Sequence, residues 1–557
     1  MSQLLATVTQ NERLPLVLGD FSSLSRALDY AAQGKTGVNF YQSTGVLTHT
    51  LTYQQLREQA LKMAQLLKNY GFKEGSKLGI IGQTGPEFLI IFFACQYIGA
   101  IPCPFPFTIY LGGKEAYEEK LKSLALIAMP EAIISPITIK ACIEQAVYGT
   151  QIKILIFEDL IQQLTHVVGV KNYIDYSTAY IQFSSGSTAQ PKGIEVSQQA
   201  LMANIQAILK EGMKLQPTDR AFSWLPFYHD MGLVGFILAS VAAQRSVDYL
   251  APTSFARRPS LWLELMSKQL STITYAPGFA YELVTKRFKQ DQIVDLSNLR
   301  IAGIGAEKIK PSILRSFAQK FESMGFNQQA FLPSYGMAEA VLAITMRDQS
   351  QPLLIDKIDT GEVVSCGRVL PDYDYLILDE QQQLVLEKQI GSIWIKGPSI
   401  INEYVDHSCA EVLDNGFMKT GDLGYRYQNQ LFITGREKDL MIIHGRNIWA
   451  QDIEWLLSQS IQELRQQDIA VFSVEQPNNE DDKVVILVQS RTSDQTKLNQ
   501  FSEDIQTIVM QAFAIKSVVQ FIPAHSLPFT SSGKLSRTEA KKRYLSDTFS
   551  STLNKDI

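Results

Sequence analysis

Cysteine is scarce in this chain, with five in 557 residues: Cys95, Cys103, Cys142, Cys366 and Cys409. They are scattered and odd in number, with neither a disulfide framework nor a zinc-ligand spacing, as expected of reduced thiols in a cytosol. Charge of one sign is also missing. Lys plus Arg number 51 against 56 Asp plus Glu, a net charge near -5, so nothing in the totals favours nucleic acid or an anionic membrane surface. The greasiest stretch, "FLIIFFACQYIGAIPCPF" from Phe88 to Phe105, is broken by Gln96, Gly99, Pro102 and Pro104. It falls short of the roughly 18 to 20 clean apolar residues of a membrane span and reads as a buried helix running into a turn. The opening "MSQLLATVTQNERLPLV" lacks a basic region followed by an apolar core, so a cytoplasmic protein without stable membrane insertion is expected. No nucleophile elbow or Cys-His motif is present, and the G-x-x-x-x-G-K-[ST] loop of P-loop NTPases is absent. No internal repeat, heptad array or low-complexity tract stands out.

What is present describes a globular chain with large cores: 45% hydrophobic and 19% charged residues. Its length predicts two or more domains. Thr52 and Gln55 have capping-box spacing and introduce Leu56, Ala60, Met63, Leu66 and Leu67 at helical period, ending near Gly71. Strand-like "KLGIIG", "EAIISP" and "IKILIF" then alternate with helical stretches. The alternation continues through "SVDYLAP", "PSLWLELMSKQL", "STITYAP" and "NLRIAGIGAE". This pattern predicts an α/β protein with a parallel sheet covered on both faces. After about Val363 come shorter strands with turn residues, and from Gln451 a smaller α+β pattern. A boundary near Arg436 to Lys438 predicts a domain over 1–436, with a β-rich subdomain, and a small mobile one over 437–557.

One loop invites a chemical reading. In "YIQFSSGSTAQPKG" (180–193), the part from Ser184 to Gly193 has hydroxyls, glycines, a proline and a lysine, and no bulky apolar side chain. Converging backbone N–H groups, hydroxyl donors and a lysine charge make a cradle for phosphate. Alone, such a stretch is more often a mobile turn. It is followed, in order, by "SWLPFYHDMGL", "GIGAEKI", "PSYGMAEA", "KTGDLGY", "ITGREKDLMIIHGRNIWAQDIE" and "PFTSSGKLSR". This ordered set, spanning roughly 180 to 537, closely resembles the motifs of the adenylate-forming superfamily: acyl-CoA synthetases, peptide-synthetase adenylation domains and firefly luciferase.

The resemblance implies roles residue by residue. Ser184, Ser185, Gly186, Ser187, Thr188 and Lys192 would wrap the phosphates of ATP, with Ala189 standing where the usual loop has glycine. Gly305, Ala306 and Glu307 would form the adenine and ribose wall, with Ser334, Tyr335, Gly336 and Met337 against the ring. Glu339 and Thr188 would hold Mg²⁺. Asp422 would accept the ribose hydroxyls, Arg436 would be the second ribose contact, and Lys438 would be the hinge of the small domain. His229 would lie between the acyl group and the phosphates, and Lys534 would reach the carboxylate and α-phosphate oxygens from the small domain.

Within the superfamily, "YHDMGL", "RRPSLW" and "FAY" resemble the fatty acyl-AMP ligases. Pro259 suits a helix entry, and Trp262, Leu263 and Leu265 would form an apolar wall for an alkyl chain, each methylene contributing roughly 0.8 kcal/mol on burial. Gly278 replaces the group's usual asparagine, and the region from Leu342 to Thr360 is short for its characteristic insertion. The activity implied is conversion of a medium- or long-chain fatty acid and ATP to acyl-adenylate and pyrophosphate. The acyl group would then pass to an acyl carrier protein of the polyketide or peptide synthase type. Two alternatives stay open: coenzyme A as acceptor, and a nucleotide-binding scaffold without catalysis. No nucleic-acid partner is implied.

Overall fold

The computed structural model describes residues 6–9, 14–107, 113–184, 191–289, 291–358, 361–401, 403–443, 446–474, 482–492, 494–529 and 535–549. Its largest sheet has nine strands. Six neighbours run parallel in the middle: Phe331–Gly336, Ile301–Ile304, Ile273–Ala276, Ala221–Ser223, Val247–Leu250 and Gly37–Tyr41. Antiparallel strands Leu47–Thr52 on one side and Ala343–Met346 on the other flank this parallel core. A second, all-parallel sheet carries Ile101–Phe105, Lys77–Ile81, Ala132–Ser135 and Lys153–Ile156 in that order. The α/β class expected from the alternation is the one observed.

Local chemistry sets the helices that cover these sheets. Helix Tyr53–Asn69 begins in a complete capping box: Thr52 Oγ1 accepts from the Gln55 amide at 3.1 Å, and Gln55 Oε1 accepts from the Thr52 amide at 2.9 Å. Its buried stripe is Leu56, Ala60, Met63, Leu66 and Leu67. Helix Pro86–Ile98 is buried from Phe88 onward and ends at Gly99, whose φ of 71° an L side chain would resist. Beyond it the chain departs from the sequence reading. Residues 101–105 form a strand and not a turn, despite Pro102 and Pro104. The strand lies at the edge of its sheet, and the Ile101 amide points inward to Ser76 O at 2.8 Å. The prolines fall on the alternate positions, where no ladder donor is required.

In the largest sheet a buried ion pair links neighbouring strands. Arg220 grips Asp248 with Nε–Oδ2 at 2.6 Å and Nη2–Oδ1 at 2.8 Å, and both side chains are at most 4% exposed. Asn39 donates to the same Asp248 Oδ1 at 2.7 Å, while the Val8 amide and carbonyl bond Asn39 and Arg220. The strand opened by Arg220 runs into Trp224–His229, so this network fixes the approach to the candidate site.

Farther along, an antiparallel sheet joins Asp374–Leu378, Gly391–Lys396, Met418–Tyr427 and Gln430–Arg436. Past Met441 the apolar side chains gather in clusters of their own, built on the sheet Ile469–Val474, Lys483–Ser490 and Ser517–Pro523. Lys308 Nζ meets both Asp452 oxygens at 3.0 Å, and Lys310 Nζ lies 3.6 Å from the Trp455 ring centroid, so helix Ala450–Ser460 is tied back to the larger part. Among the described residues no helix is long and apolar enough to cross a membrane.

Removing one partner of a buried ion pair strands the other charge. Asp248→Ala should therefore lower unfolding stability by about 3–5 kcal/mol. Asn39→Ala, which deletes one hydrogen bond to the carboxylate and the acceptor of the Val8 amide but strands no charge, should cost about 1.5–3 kcal/mol. Urea denaturation of both variants checks the ranking, and equal small losses would refute it.

Candidate active site

The site is built at the carboxyl ends of adjacent parallel strands, where open α/β sheets bind ligands. Strands Ile301–Ile304 and Phe331–Gly336 are neighbours, so the Gly305 turn emerges beside Ser334. A Cβ at Gly305 would stand 3.0 Å from Ser334 O, and one at Gly336 would stand 1.8 Å from Leu342 O, so only glycine fits at 336. Ala306 has a φ of 68°, an uncommon backbone for a residue with a side chain. Glu307 is exposed, and its Oε1 accepts from the Phe279 amide at 2.9 Å. Gly278 leaves room for that contact, because a Cβ there would lie 3.0 Å from the same oxygen. Met337 is half-buried and leads into the short turn Ala338–Ala340 that carries Glu339.

Asp422 is the anchor of one half of the site. Antiparallel register places it opposite Arg436, and Arg436 Nε meets Asp422 Oδ1 at 3.0 Å. Tyr335 Oη donates to Asp422 Oδ2 at 2.7 Å, reaching across from the central sheet. Burial, reinforced by the Asp422 charge, pushes the Tyr335 hydroxyl far above the ordinary tyrosine range, so it remains a donor. Each carboxylate oxygen accepts one bond here and retains a further lone pair, which suits a diol.

The other half gathers around the hairpin Thr178–Ser184 and Lys192–Ser197, which pairs Ser184 with Lys192. Ser185, Gly186, Ser187 and Thr188, in the loop between them, lie outside the described residues. Ser184 Oγ is buried without a hydrogen-bond partner, so a polar group from outside the described chain fits there. Lys192 Nζ sits 4.0 Å from the centroid of the Tyr404 ring, and Tyr404 Oη is 3.4 Å from Glu339 Oε1. Loss of solvent pushes the Glu339 carboxyl above its usual range. Its own backbone, Arg436 and Tyr404 pull the other way, while Asp230 adds to the rise. His229 faces Asp230, with Nδ1 2.5 Å from Oδ1. Glu339 therefore feels charges from both halves of the site, Arg436 from one and Asp230 from the other.

A single half-buried glutamate fits Mg²⁺, which retains several waters and needs only one or two carboxylates beside substrate phosphates. Among the described residues no cluster of three or more acidic, His or Cys ligands competes for that role. Lys438 lies exposed in the turn Glu437–Asp439. Lys534 lies outside the described residues. Arg537, three positions on, clamps the buried Glu454 at 2.8 and 2.6 Å and reaches Asp439 at 2.9 Å.

Two residues of this site escaped the sequence reading. Asp230 stood inside a quoted motif but was passed over in favour of its neighbour His229. Tyr404 belongs to "NEYVD", which carries no recognised pattern, and only the fold brings it to Lys192 and Glu339. The expected apolar wall also differs. Trp262 and Leu263 are fully buried and Leu265 nearly so. The Trp262 indole N–H donates to Thr274 Oγ1 at 3.1 Å, and its ring packs edge-on against Trp224, Phe255 and Tyr281. They are core residues, and the more accessible ring is Phe279, edge-on to Trp224.

Residues 31–405 match the model of the family described as "AMP-binding enzyme". The chain is 37% identical to a Caulobacter vibrioides protein provisionally named an acyl-CoA synthetase, over 98% of this chain and 99% of that one. It is 28% identical to a medium-chain-fatty-acid–[acyl-carrier-protein] ligase of Moorena producens, over 95% and 96%. A structure solved in a study of fatty acyl-adenylate ligases from E. coli and L. pneumophila superposes with a TM-score of 0.88 at 36% identity, covering 96% of this chain and all of the other.

Tyr335→Phe removes one hydrogen bond to a buried carboxylate and keeps the ring. It should cost about 1.5–3 kcal/mol of stability, measured by chemical denaturation. A loss within error of zero would mean that Asp422 does not depend on this donor.

Proposed function

The chain belongs to the AMP-binding enzyme family of the adenylate-forming superfamily and is a ligase, and from that premise we propose that it activates a medium- or long-chain fatty acid with ATP. The observation that carries the reading is the division of the site. A paired carboxylate at Asp422 suits a ribose, and beside it Lys192, Glu339 and the orphan Ser184 hydroxyl suit phosphate and metal.

In this reading Asp422 and Arg436 hold the ribose, Gly305 to Glu307 and Ser334 to Met337 border the base, and the 184–192 loop takes the phosphates. Bound Mg²⁺ supplies positive charge to the phosphate oxygens, held by Glu339 and Thr188. A carboxylate oxygen of the acid attacks the α-phosphorus in line as the bond to the bridging oxygen breaks and pyrophosphate leaves. Lys192 and Lys534 stabilise the charge that develops, and His229, set by Asp230, positions the reacting carboxylate. A thiol then attacks the acyl carbonyl, loses its proton and expels AMP. Residues 437–557 swivel about Lys438 between these steps, as a domain separate from 1–436. Supplies of ATP and reduced thiols suit a cytoplasmic setting.

For the acceptor we favour the phosphopantetheine thiol of an acyl carrier protein. The fatty acyl-AMP ligase motifs support it, as do the name of the Moorena relative and the likeness to a fatty acyl-adenylate ligase structure. The name of the Caulobacter relative favours the second reading, coenzyme A. An assay of many carboxylic acids, with holo carrier protein and coenzyme A offered side by side, should be led by unbranched fatty acids and load the carrier. A profile led by an amino acid would sink the acyl assignment, and efficient thioester formation with coenzyme A would sink the acceptor.

The two half-reactions should also separate by mutation. Lys534→Ala should nearly abolish adenylate formation and leave transfer from supplied acyl-adenylate largely intact. Lys438→Pro, which fixes φ near about -65°, should slow transfer while adenylation persists. Single-turnover pyrophosphate release and carrier loading measure the two steps. Equal losses of both in both variants would overturn the two-orientation mechanism.

A further inference from the structure

Lys192 and Glu339 are opposite charges that each touch the same side chain, Tyr404, and opposite charges so close to a common neighbour attract. Between these two described residues there is no ion pair, and what stands between them is Tyr404. Its ring face receives the Lys192 ammonium 4.0 Å from the centroid, and its hydroxyl faces Glu339 Oε1 at 3.4 Å. One amphipathic side chain thus satisfies the cation with its π-face and the anion with its O–H.

The backbone around it holds that geometry. The Val405 amide donates to Gly193 O at 2.8 Å, beside Lys192, and the Ile401 amide donates to Glu339 O at 3.0 Å. Val405, next to Tyr404, is therefore bonded to the phosphate-side strand, and Ile401 to the Glu339 turn. Gly193 permits the close approach, since a Cβ there would lie 3.2 Å from Val405 Cβ.

We propose that Tyr404 is a positioning residue that keeps Lys192 and Glu339 apart, holding the cation free for phosphate and the carboxylate free for a divalent metal. This rests on reading the site as one for Mg²⁺ and ATP. Hydroxyl and ring have separable tasks. Without the hydroxyl, Glu339 loses its fixed donor while Lys192 keeps its seat. Without the ring, Lys192 is released to pair with Glu339, and both functions fall together.

The test compares Tyr404→Phe, Tyr404→Leu and the double variant Tyr404→Leu/Lys192→Met with the wild type. ATP binding is measured by titration calorimetry over a range of Mg²⁺ concentrations without any acid, and fatty-acid-dependent pyrophosphate exchange is measured in parallel. In Tyr404→Phe the half-saturating Mg²⁺ should rise about 5-fold or more, with ATP affinity at saturating Mg²⁺ within about 2-fold of wild type. Tyr404→Leu should weaken both by about 10-fold or more, and removing Lys192 in that background should restore part of the Mg²⁺ response. The assignment is overturned if Tyr404→Phe keeps the wild-type Mg²⁺ dependence, or if the double variant is no better than Tyr404→Leu. A wild type that binds Mg²⁺ and ATP but exchanges no pyrophosphate with any acid would remove the proposed function, while the binding comparison would still decide the role of Tyr404. A wild type that does not bind ATP would overturn both.

Discussion

A carboxylate taken out of water must be met by more than one partner, or its desolvation outweighs what it gains. Three carboxylates obey that constraint here, and each fixes a different part of the molecule. Asp248, held by Asn39 and, in bidentate fashion, by Arg220, aligns neighbouring parallel strands of the nine-stranded sheet. Asp422, shared by Tyr335 and Arg436, ties that sheet to the later antiparallel one. Glu454, clamped by Arg537 and receiving the Val471 amide, organises the region past Met441. In each case at least one partner comes from a segment distant in sequence, so the charge network sets tertiary arrangement and not merely local structure.

Glu339 is the contrasting case. Lacking a guanidinium clamp of its own, it has one long contact to Tyr404 and sits between the fields of Arg436 and Asp230, with its carboxyl displaced upward by burial. A glutamate left in that condition is costly to the fold and is therefore well suited to a cation arriving with a ligand. The unpartnered Ser184 hydroxyl belongs to the same logic on the phosphate side. Both groups lie beside Lys192, which pairs with Ser184 across the hairpin and stacks on the tyrosine that reaches Glu339.

The capping box at Thr52 and Gln55 was legible because its chemistry is local, and so was the alternation that gives the parallel sheets. Tyr335, Asp422, Arg436 and Glu339 were legible only through motif resemblance, because nothing in an isolated Asp-Leu-Gly or Ala-Glu-Ala distinguishes a site from a turn. Tyr404 was illegible because its meaning depends on the Lys192 strand and the Glu339 turn, both remote in sequence. Pro102 and Pro104 misled for the opposite reason. Their local preference against central strands was real, but only the topology shows that residues 101–105 lie at an edge. Trp262 looked like pocket lining by composition, and its indole N–H found Thr274 in the core instead.

The same reasoning bears on how the small region could move. Asp439 directly follows Lys438, and Arg537 binds Asp439 while clamping Glu454 within the smaller core. The residues next to the proposed hinge and the segment just after Lys534 are thus joined through one guanidinium with little exposure. A swivel at Lys438 would carry Arg537 and Glu454 together with Asp439 as one unit. The opposing restraint is the contact of Lys308 and Lys310 with Asp452 and Trp455. Those two lysines lie just beyond Glu307, the end of the stretch proposed to border the base. On the proposed reading, the contacts seen here would be made by groups adjacent to the nucleotide wall, and occupancy of that wall would have a direct physical route to the orientation of the smaller region.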